Sequence, residues 1–255
     1  MSAILEAQSV SVNFGGVRAL VNVDLEVPEG QLVGLIGPNG AGKTTFIDAI
    51  SGFVPCRGKV VLDGNDMSSL APHVRARRGL ARTWQSIELF DDLTVGENLV
   101  VASYRPTVWA TVKELVSRPV ERVAAASAAL ERMGLGAMVE AMPSDLSQGQ
   151  RKLVGVARAL AASPRLVCLD EPAAGLDSIE SAELGRQLRE VVDGGLSMLL
   201  VDHDMGLVLG ISDYVVVLEF GEVIAHGKPE DVRTDPKVVA AYLGAGAAEL
   251  SAEAT

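Results

Sequence analysis

The sequence contains little cysteine and has no long apolar run. Its two cysteines are Cys56 and Cys168, and Cys168 lies inside the apolar run LVCLD. This usage argues against a disulfide framework and is compatible with a reducing interior. No uninterrupted apolar run approaches the roughly 18 residues that a membrane span requires, and the first residues, MSAILEAQ, lack the basic start and long apolar stretch of a signal peptide. We therefore expect the chain to stay in the cytoplasm.

Basic residues are too few for a protein that binds mainly nucleic acid. The 255-residue chain has 22 Lys and Arg against 33 Asp and Glu, a formal net charge of -11. It lacks the basic footprint that neutralises a phosphate backbone, so we expect no nucleic acid as main partner. A hydrophobic content of 48% is enough for a substantial core. The chain is therefore expected to form one large domain or one domain with an inserted lobe.

The pattern of the first 52 residues predicts an antiparallel pair of strands. A further strand, a glycine-rich loop and a helix follow it. Residues 4–27 alternate apolar and polar positions around the Gly15-Gly16 pair, which predicts short antiparallel strands joined by a turn. LVGLIG (32–37) is typical of a buried strand, and KTTFIDAISG (43–52) of a helix that ends at Gly52. The loop GPNGAGKT connects the two.

The middle of the chain predicts a helical subdomain. KVVLDG indicates one more strand before it, and LTVGENLVVA begins with a capping box made by Thr94 and Glu97. A long helical stretch follows over roughly 107–133, where Pro119 should break or kink the helix. We take residues 72–145 as this inserted subdomain.

The last part of the chain predicts a parallel sheet covered by helices. LVGVARALAA, RLVCLDEP, SIESAELGRQLREVV, SMLLVDHD, MGLVLGI and YVVVLEF alternate between helical and strand-like runs. KPEDVRTDPKVVAAYLG predicts two short helices. Residues 245–255, AGAAELSAEAT, are expected to form a loose tail.

A candidate phosphate loop satisfies G-x-x-x-x-G-K-[ST] between a predicted strand and a predicted helix. Its residues are Gly37, Pro38, Asn39, Gly40, Ala41, Gly42, Lys43, Thr44 and Thr45. Glycines let backbone N–H groups curl round a β-phosphate, and the helix start adds a partial positive charge of about half a unit. We expect Lys43 to reach the β- and γ-phosphates and the Thr44 hydroxyl to hold Mg²⁺. An ordinary glycine-rich turn is the alternative.

Two acids end the apolar strand in LVCLDEP. Asp170 and Glu171 come at its carboxyl end, where ligands lie in open α/β sheets. Asp170 is then placed to hold Mg²⁺ directly or through water, and Glu171 to accept a proton from an attacking water. A helix-capping acidic pair before a proline turn is the alternative. The predicted fold class is α/β: a P-loop NTPase core with a mostly parallel sheet, an N-terminal antiparallel β subdomain and the inserted helical subdomain, over residues 4–244.

Five motifs in this chain, GPNGAGKT, LSQGQ, LDEP, AGLD and VDH, resemble those of the ATP-binding subunits of ABC transporters. The resemblance covers residues 4–244 and implies ATP and Mg²⁺ as cofactors. It also implies that Leu146 to Gln150 faces the γ-phosphate of ATP held by a second subunit. A helix start with Ser147 and Gly149 can donate backbone and hydroxyl hydrogen bonds to that phosphate. Gln148 replaces a glycine of the commonest spelling, LSGGQ, and a plain helix cap is the alternative for this stretch taken alone.

The resemblance assigns four further residues. Gln85 in RTWQSIELF matches the glutamine that touches Mg²⁺ and the attacking water and faces the transmembrane partner, with a plain surface Gln as the alternative. Asp177 in AGLD matches a loop that crosses the subunit interface, or is a simple turn residue. His203 in LLVDHD matches the switch histidine that hydrogen-bonds the γ-phosphate. Phe14 in VNFGG matches the aromatic residue that stacks on adenine, and a core Phe is equally compatible with the sequence.

Longer stretches resemble one branch of the family. RTWQSIELFDDLTVGENLVVA, the extra helical stretch 105–125 and the ending PKVVAAYLG are similar to the ATPases of branched-chain amino-acid importers. Close relatives that serve urea or short amides, and the ATPase of lipopolysaccharide export, are alternatives. A soluble ABC ATPase with no membrane partner, such as the iron–sulfur assembly type, is the alternative from another class.

The importer assignment implies several partners. They are a second ABC ATPase subunit, either another copy or a different chain, transmembrane permease subunits and, indirectly, an extracellular solute-binding protein. The chain itself is expected to lie peripherally on the cytoplasmic face of the cell membrane. The residues expected to take part in ATP hydrolysis are Lys43, Gln85, Glu171 and His203.

Overall fold

The computed structural model describes residues 2–83, 89–103 and 120–242. In chain order the elements are β1 (Ala3–Phe14), β2 (Val17–Pro28), β3 (Leu32–Ile36), α1 (Lys43–Ser51), β4 (Arg57–Leu62), β5 (Asn65–Asp66), α2 (Pro72–Arg77), β6 (Leu80–Arg82), α3 (Val95–Ala102), α4 (Val120–Arg132), two 3₁₀ turns (Gly136–Met138 and Pro143–Asp145), α5 (Gln148–Ala161), β7 (Leu166–Asp170), α6 (Ser178–Asp193), β8 (Ser197–Val201), α7 (Met205–Ile211), β9 (Tyr214–Glu219), β10 (Glu222–Gly227), α8 (Pro229–Thr234) and α9 (236–242). The alternation of helix and strand predicted for the last part of the chain is confirmed. Within the described ranges, no helix combines the length and apolarity needed to cross a bilayer.

The N-terminal sheet has four strands in the order β2, β1, β4, β5. β1 and β2 pair antiparallel, with Val10 opposite Val23 and the Gly15-Gly16 pair at the turn. Both valines are fully buried, because an antiparallel strand with alternating residues turns its apolar face towards the core. The predicted hairpin and its turn are confirmed.

The second sheet has six strands in the order β10, β9, β3, β8, β7, β6. β10 forms an antiparallel hairpin with β9, and the other pairs are parallel. Every residue of β3, β7 and β8 is buried, since both faces of a largely parallel sheet are covered. The carboxyl ends of parallel strands meet at one edge, so the segments after β3, β7 and β8 lie at a common edge.

Helix α1 lies in the core between the two sheets. Val33 and Leu35 of β3 belong to one apolar cluster with Phe46 of α1 and residues of the N-terminal sheet. Leu32 and Ile36 of the same strand belong to the other cluster, which contains residues of α3 to α7. One strand contributes to both clusters because successive side chains point to opposite faces. The first cluster contains residues of both sheets, so α1 is packed between them and the loop that precedes it is held in place.

The segment predicted as a helical subdomain, residues 72–145, contains a strand in addition to α2, α3 and α4. Leu80 of β6 lies opposite Leu166 of β7, so β6 belongs to the parallel sheet. The sequence analysis placed no strand there, because the 3 residues of β6 are too few to show an alternating pattern. The strand β6 therefore separates α2 from α3 and α4 within this segment.

The helices predicted in the middle and at the end of the chain are present where the structure describes those residues. The capping box is confirmed: the Glu97 N–H donates to Thr94 Oγ1 at 3.2 Å, and the Thr94 N–H donates to Glu97 Oε2 at 2.8 Å. Val120–Arg132 is helical, while the preceding part of that stretch, with Pro119, lies outside the described residues. The two short helices predicted near the end are α8 and α9. The predicted tail, 245–255, also lies outside the described residues.

Candidate functional site

The predicted phosphate loop connects β3 to α1. Gly37 has φ 153°, and a Cβ at this position would lie 2.1 Å from the carbonyl oxygen of Leu218, so only glycine fits. Gly42 is the N-cap of α1 and gives no side-chain cap to the first N–H groups of the helix. These N–H groups, with the positive end of the helix dipole, are left for an anion. Of the other loop residues, Asn39, Gly40 and Thr44 are exposed, Pro38 and Thr45 are half-buried and Ala41 is buried.

Lys43 places its ammonium group inside this loop. The residue is 6% exposed, and Nζ donates to the carbonyl oxygens of Gly37 at 2.6 Å and Pro38 at 3.0 Å. Burial lowers the pKa of Lys43, and the nearby carboxylates act in the opposite direction. Those carboxylates are Glu171, Asp170 and Asp202. The fold therefore brings the loop lysine and both predicted acids together.

Asp170 ends β7 and is 2% exposed. Its Oδ2 accepts a hydrogen bond from Arg82 Nη2 at 3.1 Å, whereas Oδ1 is buried without a hydrogen-bond partner among the described residues. Burial raises the pKa of Asp170, and the Arg82 guanidinium acts against that rise. A buried carboxylate oxygen without a donor is costly. Oδ1 is therefore the oxygen that a bound cation would satisfy.

Glu171 leaves the strand with a strained backbone. Its φ is 48°, in the left-handed region that residues other than glycine rarely adopt. The Glu171 N–H donates to the carbonyl oxygen of Val201 in β8 at 2.7 Å. Strain of this kind persists where the surroundings fix it and clusters at functional sites. The pair does not cap a helix, because the N-cap of the next helix, α6, is Asp177.

The oxygen ligands at the carboxyl edge of the parallel sheet fit a divalent cation such as Mg²⁺. Mg²⁺ binds oxygen and is usually held by one or two carboxylates together with substrate phosphates. The part of the chain that the structure describes has no group of 3 or more His, Cys, Asp or Glu placed to hold a metal. A site that a phosphate completes needs no such group. Among the described residues, Asp170 Oδ1 is one oxygen left without a hydrogen-bond partner for such a cation, and Thr44, in the first turn of α1, stays a predicted ligand.

The LSQGQ stretch forms the start of α5, with Ser147 as its N-cap. Ser147 Oγ accepts from the Gln150 N–H at 3.2 Å, and Gln150 Oε1 accepts from the Ser147 N–H at 2.9 Å. The first helical bond runs from the Arg151 N–H to the Ser147 carbonyl at 2.9 Å. The N–H groups of Gln148 and Gly149 come before it and lie at the positive end of the helix. A helix cap and an anion-ready helix start are therefore present together.

The starts of α5 and α6 pack closely against each other. A Cβ on Gly149 would lie 2.8 Å from Glu180 Oε1 in the first turn of α6, so glycine permits this approach. Gln148 Nε2 would be 3.1 Å from a Cβ on Gly175, which places this side chain against its own chain. Asp177 caps α6, with Oδ1 accepting from two backbone N–H groups. These predicted residues thus form a second group, at the paired helix starts.

Lys152 is a buried cation that the sequence analysis did not single out. It is 7% exposed, and its Nζ donates to the carbonyl oxygen of Ala174 in the loop before α6. Burial lowers the pKa of Lys152, while Asp202 and Glu171 act in the opposite direction. Its position two residues after LSQGQ was the available signal, since a lysine on the inner face of an amphipathic helix is unusual.

Asp202 was also missed, although it lies next to His203. It is fully buried, and its carboxylate accepts from the backbone N–H groups of Ala173 at 3.1 Å, His203 at 2.8 Å and Asp204 at 3.0 Å. It therefore ties the segment after β8 to the segment after β7. The His203 side chain is 56% exposed, with Nδ1 3.4 Å from Asp202 Oδ1. An acid directly after four apolar strand residues, Met198 to Val201, was the sequence signal.

Phe14 lies at the end of β1 with 51% of its surface exposed. The alternative that it is a core residue is therefore wrong. Val17 lies opposite Phe14 across the hairpin and is 67% exposed. The hairpin end thus exposes two apolar side chains next to each other, and the stacking of Phe14 on adenine stays a prediction. Gln85 lies outside the described residues.

Two family profiles match the chain. That of the ABC transporter family matches residues 20–174. A second, described as branched-chain amino acid ATP-binding cassette transporter, matches residues 222–248. The high-affinity branched-chain amino acid transport ATP-binding protein BraF of Pseudomonas aeruginosa is 39% identical, covering 94% of this chain and 98% of BraF. The lipopolysaccharide export system ATP-binding protein LptB of Acidithiobacillus ferridurans is 36% identical, covering 96% of this chain and 98% of LptB.

Solved structures of similar proteins share the fold. The ADP conformation of MJ1267, an ATP-binding cassette of an ABC transporter, has a TM-score of 0.84 and 31% identity, covering 96% of this chain and 100% of that chain. The dimeric structure of MJ0796, a bacterial ABC transporter cassette, has a TM-score of 0.73 and 26% identity, covering 88% of this chain and 98% of that chain.

Proposed function

The chain belongs to the ABC transporter family, and from this premise we propose that it is the ATP-binding and ATP-hydrolysing subunit of an importer of branched-chain amino acids. The observation that carries the ATPase role is the position of Lys43. Its ammonium group lies inside the glycine loop and within the field of Asp170 and Glu171. Loop, cation and acids on one edge of a parallel sheet are the parts that phosphoryl transfer needs.

We propose that the phosphates of ATP bind to the N–H groups of the loop and of the α1 start. Lys43 then gives up its carbonyl partners for the β- and γ-phosphates and offsets the charge that develops on them. Glu171 accepts the proton of the attacking water. Mg²⁺, held by Thr44 and Asp170, would neutralise phosphate charge. Gln85 and His203 are proposed to orient the water and to contact the γ-phosphate, as the family resemblance implies.

The second anion-ready helix start is proposed to serve a neighbouring subunit. In this scheme two ATP molecules lie between two subunits, each held by the loop of one and by Ser147 and Gly149 of the other. ATP binding favours the closed pair because only the closed pair makes both sets of contacts, and hydrolysis lets it reopen. The partner is a second copy or a related chain, and the dimeric MJ0796 structure supports pairing. Asp177, beside the α5 start, would lie at the same interface.

A mixing experiment tests the shared site. Ser147→Arg should block the ATP site on the other subunit, which Ser147 completes. Lys43→Ala should prevent ATP from binding well to the loop of the subunit that carries the change. If the chain pairs with itself, each variant alone should be nearly inactive, while an equimolar mixture should recover about a quarter of the wild-type phosphate release. The reason is that half of the dimers are mixed and each mixed dimer has one intact site. Full turnover by Ser147→Arg at dilutions where the protein is monomeric would contradict the scheme.

The transport role rests on permease partners. We propose that the chain binds transmembrane permease subunits on the cytoplasmic face of the cell membrane, as a peripheral subunit. An extracellular solute-binding protein would deliver the amino acid, so the solute does not touch this chain. The match of residues 222–248 to the branched-chain amino acid profile, and the similarity to BraF, support this choice of solute. LptB, at 36% identity, supports lipopolysaccharide export less strongly.

Co-purification decides between these functions. A tagged chain extracted from membranes in mild detergent should bring down multi-span permeases. After reconstitution with their solute-binding protein, leucine, isoleucine or valine should raise ATP turnover several-fold above the solute-free rate, whereas lipopolysaccharide, urea and short amides should not. A chain that brings down no membrane protein would instead support a soluble ABC ATPase.

A further inference from the structure

Arg82 is a buried arginine at the edge of the proposed ATP site that the mechanism above does not use. It is the last residue of β6, lies opposite Cys168 of β7 and has a side chain that is 7% exposed. Its Nη2 contacts Asp170 Oδ2 at 3.1 Å, and its Nη1 forms an ion pair with Asp48 Oδ1. One guanidinium thus joins two carboxylates from different elements.

The two carboxylates belong to the two halves of the proposed site. Asp48 is on α1, whose first turn carries Lys43 and Thr44. Asp170 is the last residue of β7 and is the acid proposed to bind Mg²⁺. The planar guanidinium has a rigid fork of donors, so its two ends can hold two acids in a fixed relation. A lysine has a single point charge on a flexible stem and cannot hold both acids in the same way.

The pairing also determines which oxygen of Asp170 faces the site. Arg82 takes Oδ2, and Oδ1 is left buried with no hydrogen-bond partner among the described residues. Side-chain torsion of an aspartate would interchange these oxygens if nothing held one of them. Because Arg82 holds Oδ2, the oxygen without a donor is kept in one place, ready for a cation.

Neighbouring contacts keep Arg82 itself in position. Its guanidinium lies over the ring of Phe53, with Cζ 5.8 Å from the ring centroid. The next residue, Thr83, donates its N–H to the Cys168 carbonyl at 3.0 Å and accepts from the Asp170 N–H through Oγ1 at 3.3 Å. Residues 82 and 83 therefore hold the end of β7 through both backbone and side-chain contacts.

We propose that Arg82 is a positioning residue of the ATP site: it fixes the metal-binding oxygen of Asp170 relative to the helix that carries Lys43 and Thr44. This inference rests on the proposed function. It differs from a purely structural role in one measurable way. A structural ion pair affects only the stability of the fold, whereas a positioning residue affects how tightly Mg²⁺ joins bound nucleotide.

Three variants distinguish the contact of Arg82 with Asp170 from its contact with Asp48. Arg82→Gln removes both, Arg82→Lys keeps a charge that reaches one carboxylate, and Asp48→Asn releases only α1. Partners that orient metal ligands typically change metal affinity by about 10- to 100-fold when they are mutated. We therefore expect the Mg²⁺ concentration for half-maximal tightening of a fluorescent ATP analogue to rise about tenfold in Arg82→Gln and about threefold in the other two. Binding of the analogue in EDTA should stay within about twofold of wild type.

Arg189 provides the matched control. It also joins two carboxylates, Asp193 at 2.8 Å and Asp213 at 3.0 Å, on α6 and just before β9. Arg189→Gln should lower the urea midpoint without changing the Mg²⁺ requirement. If Arg82→Gln folds too poorly to measure, Arg82→Lys and Asp48→Asn carry the comparison.

The outcomes distinguish this inference from the function it rests on. Half-maximal Mg²⁺ concentrations within twofold of wild type in Arg82→Lys, Asp48→Asn and any folded Arg82→Gln would overturn the positioning role while leaving the ATPase assignment intact. A wild-type protein that binds the analogue neither in EDTA nor with Mg²⁺ would overturn the proposed function, and the role of Arg82 with it.

Discussion

Replacing Glu171 with Gln is expected to lower ATP turnover by roughly 10²- to 10⁴-fold, because an amide cannot accept the proton of the attacking water. Gln keeps the size of the side chain and tolerates the same backbone, with φ 48°, so Asp170 should stay in place. ATP should still bind and close the pair of subunits, which then cannot reopen. The expected result is loss of phosphate release together with a nucleotide-bound dimer on size-exclusion chromatography.

Glu222→Gln is a suitable control, since Glu222 is an exposed glutamate on β10. It should match wild type in both measurements. Normal phosphate release by Glu171→Gln would remove Glu171 from the role of general base. A dimer that also accumulates in the control would show that trapping does not report on hydrolysis.

Lys43→Ala is expected to weaken ATP binding itself by at least about tenfold, or about 1.4 kcal/mol. The reason is that a charge-assisted hydrogen bond to phosphate is lost and no other cation of the loop replaces it. Titration of a fluorescent ATP analogue, or calorimetry, measures the change. Turnover at subsaturating ATP should fall at least as far as affinity.

Two controls accompany this variant. Lys59→Ala removes an exposed lysine from β4 and should leave ATP affinity unchanged. Because Lys43 Nζ also binds the carbonyl oxygens of Gly37 and Pro38, urea unfolding should establish that Lys43→Ala remains folded. Unchanged affinity in a folded Lys43→Ala protein would show that the loop does not hold the phosphates in the proposed way.

Local patterns were sufficient to predict most elements and part of the site. A strand, a glycine loop and a helix leave a signature within a few neighbouring residues, as the run from β3 to α1 shows. The capping box at Thr94 and Glu97 spans only four positions and was found for the same reason. Strand β6 was not found, because its 3 residues gain their strand geometry from pairing with β7 and show no periodicity of their own.

Residues that act through distant partners could not be found in this way. Asp202 looks like any polar residue that ends a strand, until its carboxylate is seen to accept a hydrogen bond from Ala173, 29 positions away. Phe14 was undecided between core and surface, because exposure depends on what packs over the hairpin end. The structure decided it, at 51% exposed.

The sequence by itself determined the chemistry on offer: a glycine-rich loop with a lysine at the start of the next helix, two adjacent acids at the end of one strand, and a second helix start with a serine cap. These depend on residue type and spacing within one element. Only the tertiary structure decided which oxygen of Asp170 is left for a cation and which arginine holds the other. That choice depends on Arg82 meeting Asp48 and Asp170, 34 and 88 positions away, and such meetings are set by sheet order and core packing.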